Sequence, residues 1–215
     1  MNLSQFSPYK VIQLYELLAT YRGRSNDLFQ SYPVHVKIDL TESCNHRCQF
    51  CFYNDEHRDI GVKRENITKG NRSVPLDILQ ATLLDLAKGG TKAITLIGGG
   101  EPTLHPQIKA ILQTLSGTNM QFGVVTNGAR MMDDEFFELL GNATWLRFSI
   151  DTLNPQTYLE LHQPKNQAID NLPHTMENLK TAIAKRRKGR LIGASFLIHP
   201  LNHTEIFRFA EGMKE

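Results

Sequence analysis

A chain of 215 residues that is 40% hydrophobic and 21% charged has the composition of an ordinary globular protein, one domain in size, able to bury a sizeable core. Its formal charge of +2 is too small for bulk electrostatics to argue for nucleic acid or an anionic membrane as a partner. No apolar run reaches the length of a membrane span, and the first residues lack a basic segment followed by an apolar core, so no membrane role is expected and a cytoplasmic location is.

After Pro8, the residues Val11, Leu14, Tyr15 and Leu18 share one face of a helix. This predicts an N-terminal helical extension over residues 1–32 ahead of a main domain over 33–215, with Tyr32 and Pro33 closing the segment. Val34, Val36, Ile38 and Leu40 then alternate with His35, Lys37 and Asp39, the pattern of a strand with one apolar face. That strand runs straight into TESCNHRCQFCF, residues 41–52, which holds Cys44, Cys48 and Cys51, all three cysteines of the chain. Residues 54–72 are polar and rich in Gly and Asn, the mark of a loop or lid. From Pro75 a helix is predicted, with Ile78, Leu79, Leu83, Leu84 and Leu86 recurring and Gly89 and Gly90 ending it.

A strand over 93–97 follows and ends in Gly98, Gly99, Gly100, Glu101 and Pro102. The unit repeats: helix over 105–115, strand over 122–126 ending at Asn127 and Gly128, helix over 133–140, strand over 145–150 ending at Asp151. A helix within 172–188, a fifth strand over 191–198 and a helix beginning near Thr204 complete the series. Strands alternating with helices predict an α/β fold of βαβ units around a parallel sheet. Ligands of such sheets bind at the carboxyl ends of the strands, and here the polar and glycine-rich signatures all fall at those ends.

The chemistry open to these residues is limited. An odd cysteine count without a secretory signal points to reduced thiols. Spaced C-x3-C-x2-C, they can wrap one metal centre but leave it a ligand short. A [4Fe–4S] cluster would then keep one iron open to a small molecule, whereas a Cys3His zinc site would take His46 or His57. Three glycines let a backbone approach a ligand closely, or simply make a tight turn, and Glu101 offers a carboxylate to a cation. Ser149 and Asp151 are two apart and project to the same face, although Asp151 suits a helix N-cap equally well. Thr126, Asn127 and Gly128 could touch a ligand or only form a turn. His199, Asn202 and His203 could face a substrate, with Asn202 reading also as a cap.

In their order and placement, over roughly residues 33–210, these motifs resemble those of the radical S-adenosylmethionine (radical SAM) superfamily. The run SIDTLNPQTY is similar to the SIDA-x-x-x-x-TY segment of the subgroup of molybdenum-cofactor and peptide-modifying enzymes, with Thr152 in place of its alanine. The resemblance implies a partial (β/α)6 barrel, of which five units are visible, with a sixth unit and any C-terminal extension expected to be missing. It implies a [4Fe–4S] cluster ligated by Cys44, Cys48 and Cys51, with S-adenosylmethionine on the open iron. Gly99, Gly100 and Glu101 match the GGE motif that holds the methionyl ammonium, and Ser149 and Asp151 match positions that contact ribose or carboxylate. Thr126 opens a TNG segment common among members, and Phe50 would shield the cluster or lie near the adenine. The implied reaction splits S-adenosylmethionine reductively, with electrons from an external donor such as flavodoxin or ferredoxin, and the resulting 5′-deoxyadenosyl radical takes hydrogen from a substrate the sequence does not identify. The chain departs from the family's fifth-strand G-x-I-x-G-x-x-E pattern: Gly193 suits its first position, and no second glycine follows at the expected spacing. The rival expectation is a Cys3His zinc-binding interaction module without catalysis.

Overall fold

Five strands form one parallel sheet: β1 (His35–Asp39), β2 (Ala93–Ile97), β3 (Gln121–Thr126), β4 (Trp145–Ser149) and β5 (Leu191–Ser195). The structure is a computed structural model that describes residues 32–51, 53, 72–130 and 133–214. The expected helix carrying Val11, Leu14, Tyr15 and Leu18, the polar stretch 54–71 and His57 lie outside those residues. Every element named here belongs to one compact unit that starts at Val34.

Neighbours in the sheet follow the order of the chain, β1 to β5, without reversal. A doubly wound sheet would reverse direction at a switch point; an unreversed run of βα crossovers is the arrangement of a barrel wall. The helices described are α1 (Leu76–Lys88), α2 (Ile108–Ser116), α3 (Asp134–Leu140), α4 (Pro155–His162), α5 (Leu172–Lys185) and α6 (Ile206–Gly212). None of them is long and apolar enough to cross a membrane.

Register explains the two faces of the sheet. Ile38, Leu96, Val124, Leu146 and Ile192 lie in one cross-strand row, and Phe148 and Ala194 follow in the next. These side chains join Leu79 and Leu83 of α1, Ile111, Leu112 and Leu115 of α2 and Phe136 of α3 in a single core. On the opposite face, one residue out of phase, stand Lys37, Asp39, Thr95, Arg147, Ser149 and Ser195. Gly123 is bare on this face because the Trp145 indole fills its space; a Cβ there would lie 2.0 Å from the ring.

The helices follow from spacing and caps. In α2 the buried residues Ile108, Ile111, Leu112 and Leu115 recur at three and four positions, one stripe of a helix. The side chains of Asp133, Asn154 and Asn171 accept from Phe136 N, Gln156 N and His174 N and so cap α3, α4 and α5. Helix α4 was not anticipated, although Asn154 followed by Pro155 is a start signal. The second helix begins at Ile108 rather than 105, because Pro102–Leu104 forms a separate 3-10 turn. Strand β5 stops at Ser195, and Leu197 N leaves the strand direction to donate to Asp151 Oδ1 at 2.7 Å.

Candidate active site

The cysteine loop leaves the carboxyl end of β1 and is pinned by its backbone to a distant part of the chain. Arg47 N donates to His162 O at 3.1 Å, Gln49 N to Leu161 O at 2.9 Å, and Lys165 N to Asn45 O at 2.8 Å. Asn45 Nδ2 adds a bond to Asp170 Oδ1 at 2.8 Å. The end of α4 and the connection to α5 therefore hold the loop in shape, and Cys51 N turns back to Cys48 O at 3.0 Å. All three thiols are free and half-buried. Burial, helped by the charges of Glu101 and Cys51, pushes the Cys44 thiol up to about 11. Cys48 is pushed higher still, by burial first and then by Cys44 and Cys51. Thiols that raise one another's proton affinity in a desolvated loop stay protonated until a cation enters. The donor set suits a cationic metal centre taking three thiolates.

The glycine segment after β2 lies directly against this loop. Gly100 N donates to Thr41 O at 2.9 Å and Glu101 N to Ser43 O at 2.8 Å. The approach is so close that a Cβ on Gly100 would sit 2.1 Å from Ser43 O, whereas Gly99 would meet only the Tyr53 ring at 3.4 Å. Gly100 is thus required by the packing itself.

Glu101 is 3% exposed. Its Oε1 accepts from Thr103 N at 3.0 Å, Thr103 Oγ1 at 2.7 Å and Thr126 Oγ1 at 2.6 Å, and its Oε2 accepts from Asn127 N at 2.7 Å. Burial raises its carboxyl pKa, and these donors oppose the rise. Oε1 is saturated, so further acceptor capacity rests with Oε2. The carboxylate joins the end of β2 to the end of β3, and Asn127 Nδ2 carries the chain of bonds on to Asn45 Oδ1 at 2.7 Å. Thr126 is buried, and besides donating to Glu101 its hydroxyl accepts from Gly128 N at 2.9 Å.

At the end of β4 the two paired candidates part company. Ser149 stays on the polar face, half-buried, with Ser195 Oγ of β5 at 3.5 Å. Asp151 turns inward at φ 63° and is 1% exposed. It caps no helix; that role falls to Asn154. Its Oδ1 takes the Leu197 N–H, and its carbonyl accepts from Asn202 Nδ2 at 2.7 Å. Burial pushes its carboxyl up to about 6, against the pull of Leu197 N and Arg147. Asn202 is wholly buried and binds Leu197 O as well, so it fastens the strand end and does not face outward as a substrate contact would. His203 is exposed, with Nδ1 at 2.9 Å from Pro200 O, and His199 N donates to Asn202 Oδ1 at 2.7 Å. At Gly193 a Cβ would meet nothing within 4 Å, so no close approach requires glycine there.

One buried residue at the site was missed in the sequence. His162, the last residue of α4, is 1% exposed, with Nδ1 at 3.3 Å from Cys48 Sγ and Nε2 at 3.0 Å from Ile150 O. Its Nε2 also lies 3.5 Å from Asp151 Oδ2. Burial lowers its pKa to about 4. Phe50 meets its ring edge-on at 5.7 Å, the Tyr158 ring lies at 4.4 Å, and His46 lies at 5.5 Å. His46 is likewise 1% exposed, and among the described residues neither ring nitrogen has a partner at ordinary hydrogen-bond distance. Burial and then His162 lower its pKa to about 3, against the opposing pull of the Asp170 backbone. One ligand atom each of His46, Cys48 and His162 lie within 4.8 Å of one another. Among the described residues His46 therefore keeps company with one cysteine and a second histidine.

Comparison with known proteins accords with this geometry. The family model described as the Radical SAM superfamily matches residues 38–211. The S-adenosylmethionine-dependent nucleotide dehydratase of Flammeovirga pacifica is 33% identical over 124 residues, 57% of this chain and 40% of that protein. The GTP 3',8-cyclase of Haemophilus ducreyi is 32% identical over 134 residues, 61% of this chain and 37% of that protein. The chain spans less than half the length of either. Among solved structures, Streptococcus suis SuiB bound to S-adenosylmethionine aligns with a TM-score of 0.63 at 19% identity, covering 99% of this chain and 46% of that one. At that identity the likeness is one of fold, a partial barrel.

Proposed function

The chain belongs to the radical SAM superfamily, and from that premise we propose that Cys44, Cys48 and Cys51 ligate a [4Fe–4S] cluster used to cleave S-adenosylmethionine. Members of this family are enzymes whose cofactors are that cluster and S-adenosylmethionine, and the protein is an enzyme of that kind. When bound, the pair supplies a 5′-deoxyadenosyl radical that abstracts hydrogen from a substrate. The observation that carries the reading is the contact between the three-thiol loop and the glycine segment, made by Gly100 N to Thr41 O and Glu101 N to Ser43 O.

The residues divide the work as follows. The thiols hold the metal, and the bonds from Arg47, Gln49 and Lys165 keep their loop rigid. We assign the methionyl ammonium to the glycine segment 98–100 and to Glu101 Oε2, the carboxylate oxygen that accepts from Asn127 N alone. Thr126 orients Glu101 through its hydroxyl and stands at the strand end where the cofactor would lie. Ser149 offers a hydroxyl for ribose or carboxylate, while Asp151 acts through the strand end that it fastens. The polar face with Lys37, Asp39, Thr95 and Arg147 is the side on which substrate would lie. Electrons come from a small external donor of the flavodoxin or ferredoxin type. The relatives named for a nucleotide dehydratase and a GTP cyclase make nucleotides the first substrates to assay, and SuiB, solved with a precursor peptide, makes peptides the second.

Anaerobic reconstitution with iron and sulfide tests the reading. We expect about four irons per chain, the EPR signal of a reduced cubane that changes on adding S-adenosylmethionine, and 5′-deoxyadenosine on reduction. Cys44→Ala, Cys48→Ala and Cys51→Ala should each abolish it. A cluster that survives any of these, or one closed by a fourth side chain, would overturn it.

A further inference from the structure

We propose that His46, Cys48 and His162 form a second metal site, for a thiophilic divalent ion such as Zn2+, and that its occupation and ligation of the three-cysteine set exclude each other. The ligand atoms are already gathered within 4.8 Å. Cys48 Sγ and His162 Nδ1, at 3.3 Å, are close to the roughly 3.6 Å that separates a sulfur and a nitrogen on one tetrahedral zinc. Closing the remaining distance takes side-chain rotation of about an ångström, within what two ring torsions supply.

His46 is the independent observation. It is 1% exposed, with the Tyr158 ring at 5.8 Å and the His162 ring at 5.5 Å, and among the described residues neither ring nitrogen has a partner at ordinary hydrogen-bond distance. An imidazole buried without a partner is destabilising, and a metal ion would take up a ring-nitrogen lone pair. Two imidazoles and one thiolate are a set that zinc accepts with water in its fourth position. Zinc outcompetes ferrous iron at such ligands. Entry of the ion displaces the Cys48 thiol proton to solvent.

Exclusion follows from the shared sulfur. With Cys48 on zinc, only Cys44 and Cys51 remain for a cluster. That consequence rests on the cluster reading above; the site itself does not.

The test starts from reduced, metal-free protein under anaerobic conditions, using Co2+ as an optical probe and Zn2+ in competition with a chromophoric chelator. We expect one equivalent, a tetrahedral cobalt spectrum and the charge-transfer intensity of a single thiolate. Cys44→Ala and Cys51→Ala should bind with affinity within about threefold of wild type, while Cys48→Ala and His162→Ala should weaken binding by about a hundredfold or more. His46→Ala leaves a hole, so His46→Phe, which fills the space without a donor, serves beside it and should show the same loss. Intensity of three thiolates, loss on replacing Cys44 or Cys51, or no stoichiometric binding would overturn the site. In a second arm, one equivalent of Zn2+ should block cluster reconstitution in wild type and not in His46→Phe. Equal blocking of both would overturn the exclusion. If wild type forms no cluster even without zinc, it is the cluster reading that fails, and the cobalt data judge the site alone.

Discussion

Glu101 concentrates four donors on one carboxylate, at 2.6–3.0 Å, inside the protein. A glutamine cannot replace it quietly, because its NH2 would face either Asn127 N–H or the three donors on Oε1. Glu101→Gln should therefore lower unfolding stability by about 1–3 kcal/mol and weaken S-adenosylmethionine binding to the reconstituted protein. Denaturant titration and calorimetry read the two effects, and a variant within about 0.5 kcal/mol of wild type would show that the network matters little. Asp151 makes a pH prediction. Its folded pKa of about 6 lies above the ordinary 3.8, so the folded state holds the proton more tightly. Its contribution therefore favours folding below about pH 4 and declines as pH rises to 6, by up to about 3 kcal/mol. Asp151→Asn keeps an acceptor for Leu197 N and cannot titrate. Stability of the metal-free variant between pH 4 and 6 should lack that decline, and identical slopes would assign the titration elsewhere.

The elements that meet at the site are joined by close backbone approach. Gly100→Ala drives a Cβ to 2.1 Å from Ser43 O and 2.6 Å from Glu42 C, backbone atoms with no flexible side chain to yield. It should abolish cluster retention while far-UV circular dichroism stays close to wild type; retained cluster at wild-type yield would mean that the two loops separate without consequence. Much of this level could be read from the sequence: β2, β3 and β4 announce themselves by apolar runs ending in Gly98, Asn127 and Asp151, and β1 by its alternation. What escaped has physical reasons. Helix α4 spans only eight residues and buries Thr157, Tyr158, Leu161 and His162, a face half polar, so its periodicity is weak although its cap is not. In the sequence Asp151 suits a cap as well as a ligand contact, because aspartate at a strand-to-helix junction often is a cap; Asn154 takes that role, and Asp151 holds the chain beyond β5 through Leu197 N. His162 meets Cys48 across 114 residues, a pairing that only the tertiary fold creates.

Across the whole molecule, one face of the sheet is apolar and covered by helices, and the other carries the polar groups, so the site and the core do not compete for the same side chains. Within the described sheet β1 and β5 each pair on one side only, and β2, β3 and β4 on both. Amide exchange should be slowest in β2 to β4 and faster in β1 and β5. Slowest exchange in Leu191–Ser195 would contradict this, and would mean that β5 has a covering partner.

The bond from Asn45 to Asp170 spans 125 positions, and this sets a clock on the protein's own synthesis. At about 5–20 residues per second, the thiols leave the ribosome roughly 6–25 seconds before the segment that shapes their loop does. During that interval the nascent cysteines are unscaffolded and open to whichever ion arrives first. The scaffold that shapes the thiol loop is therefore complete only after Asp170 has emerged, and metal supplied to a chain cut short of Asp170 should be held less tightly than by the whole chain.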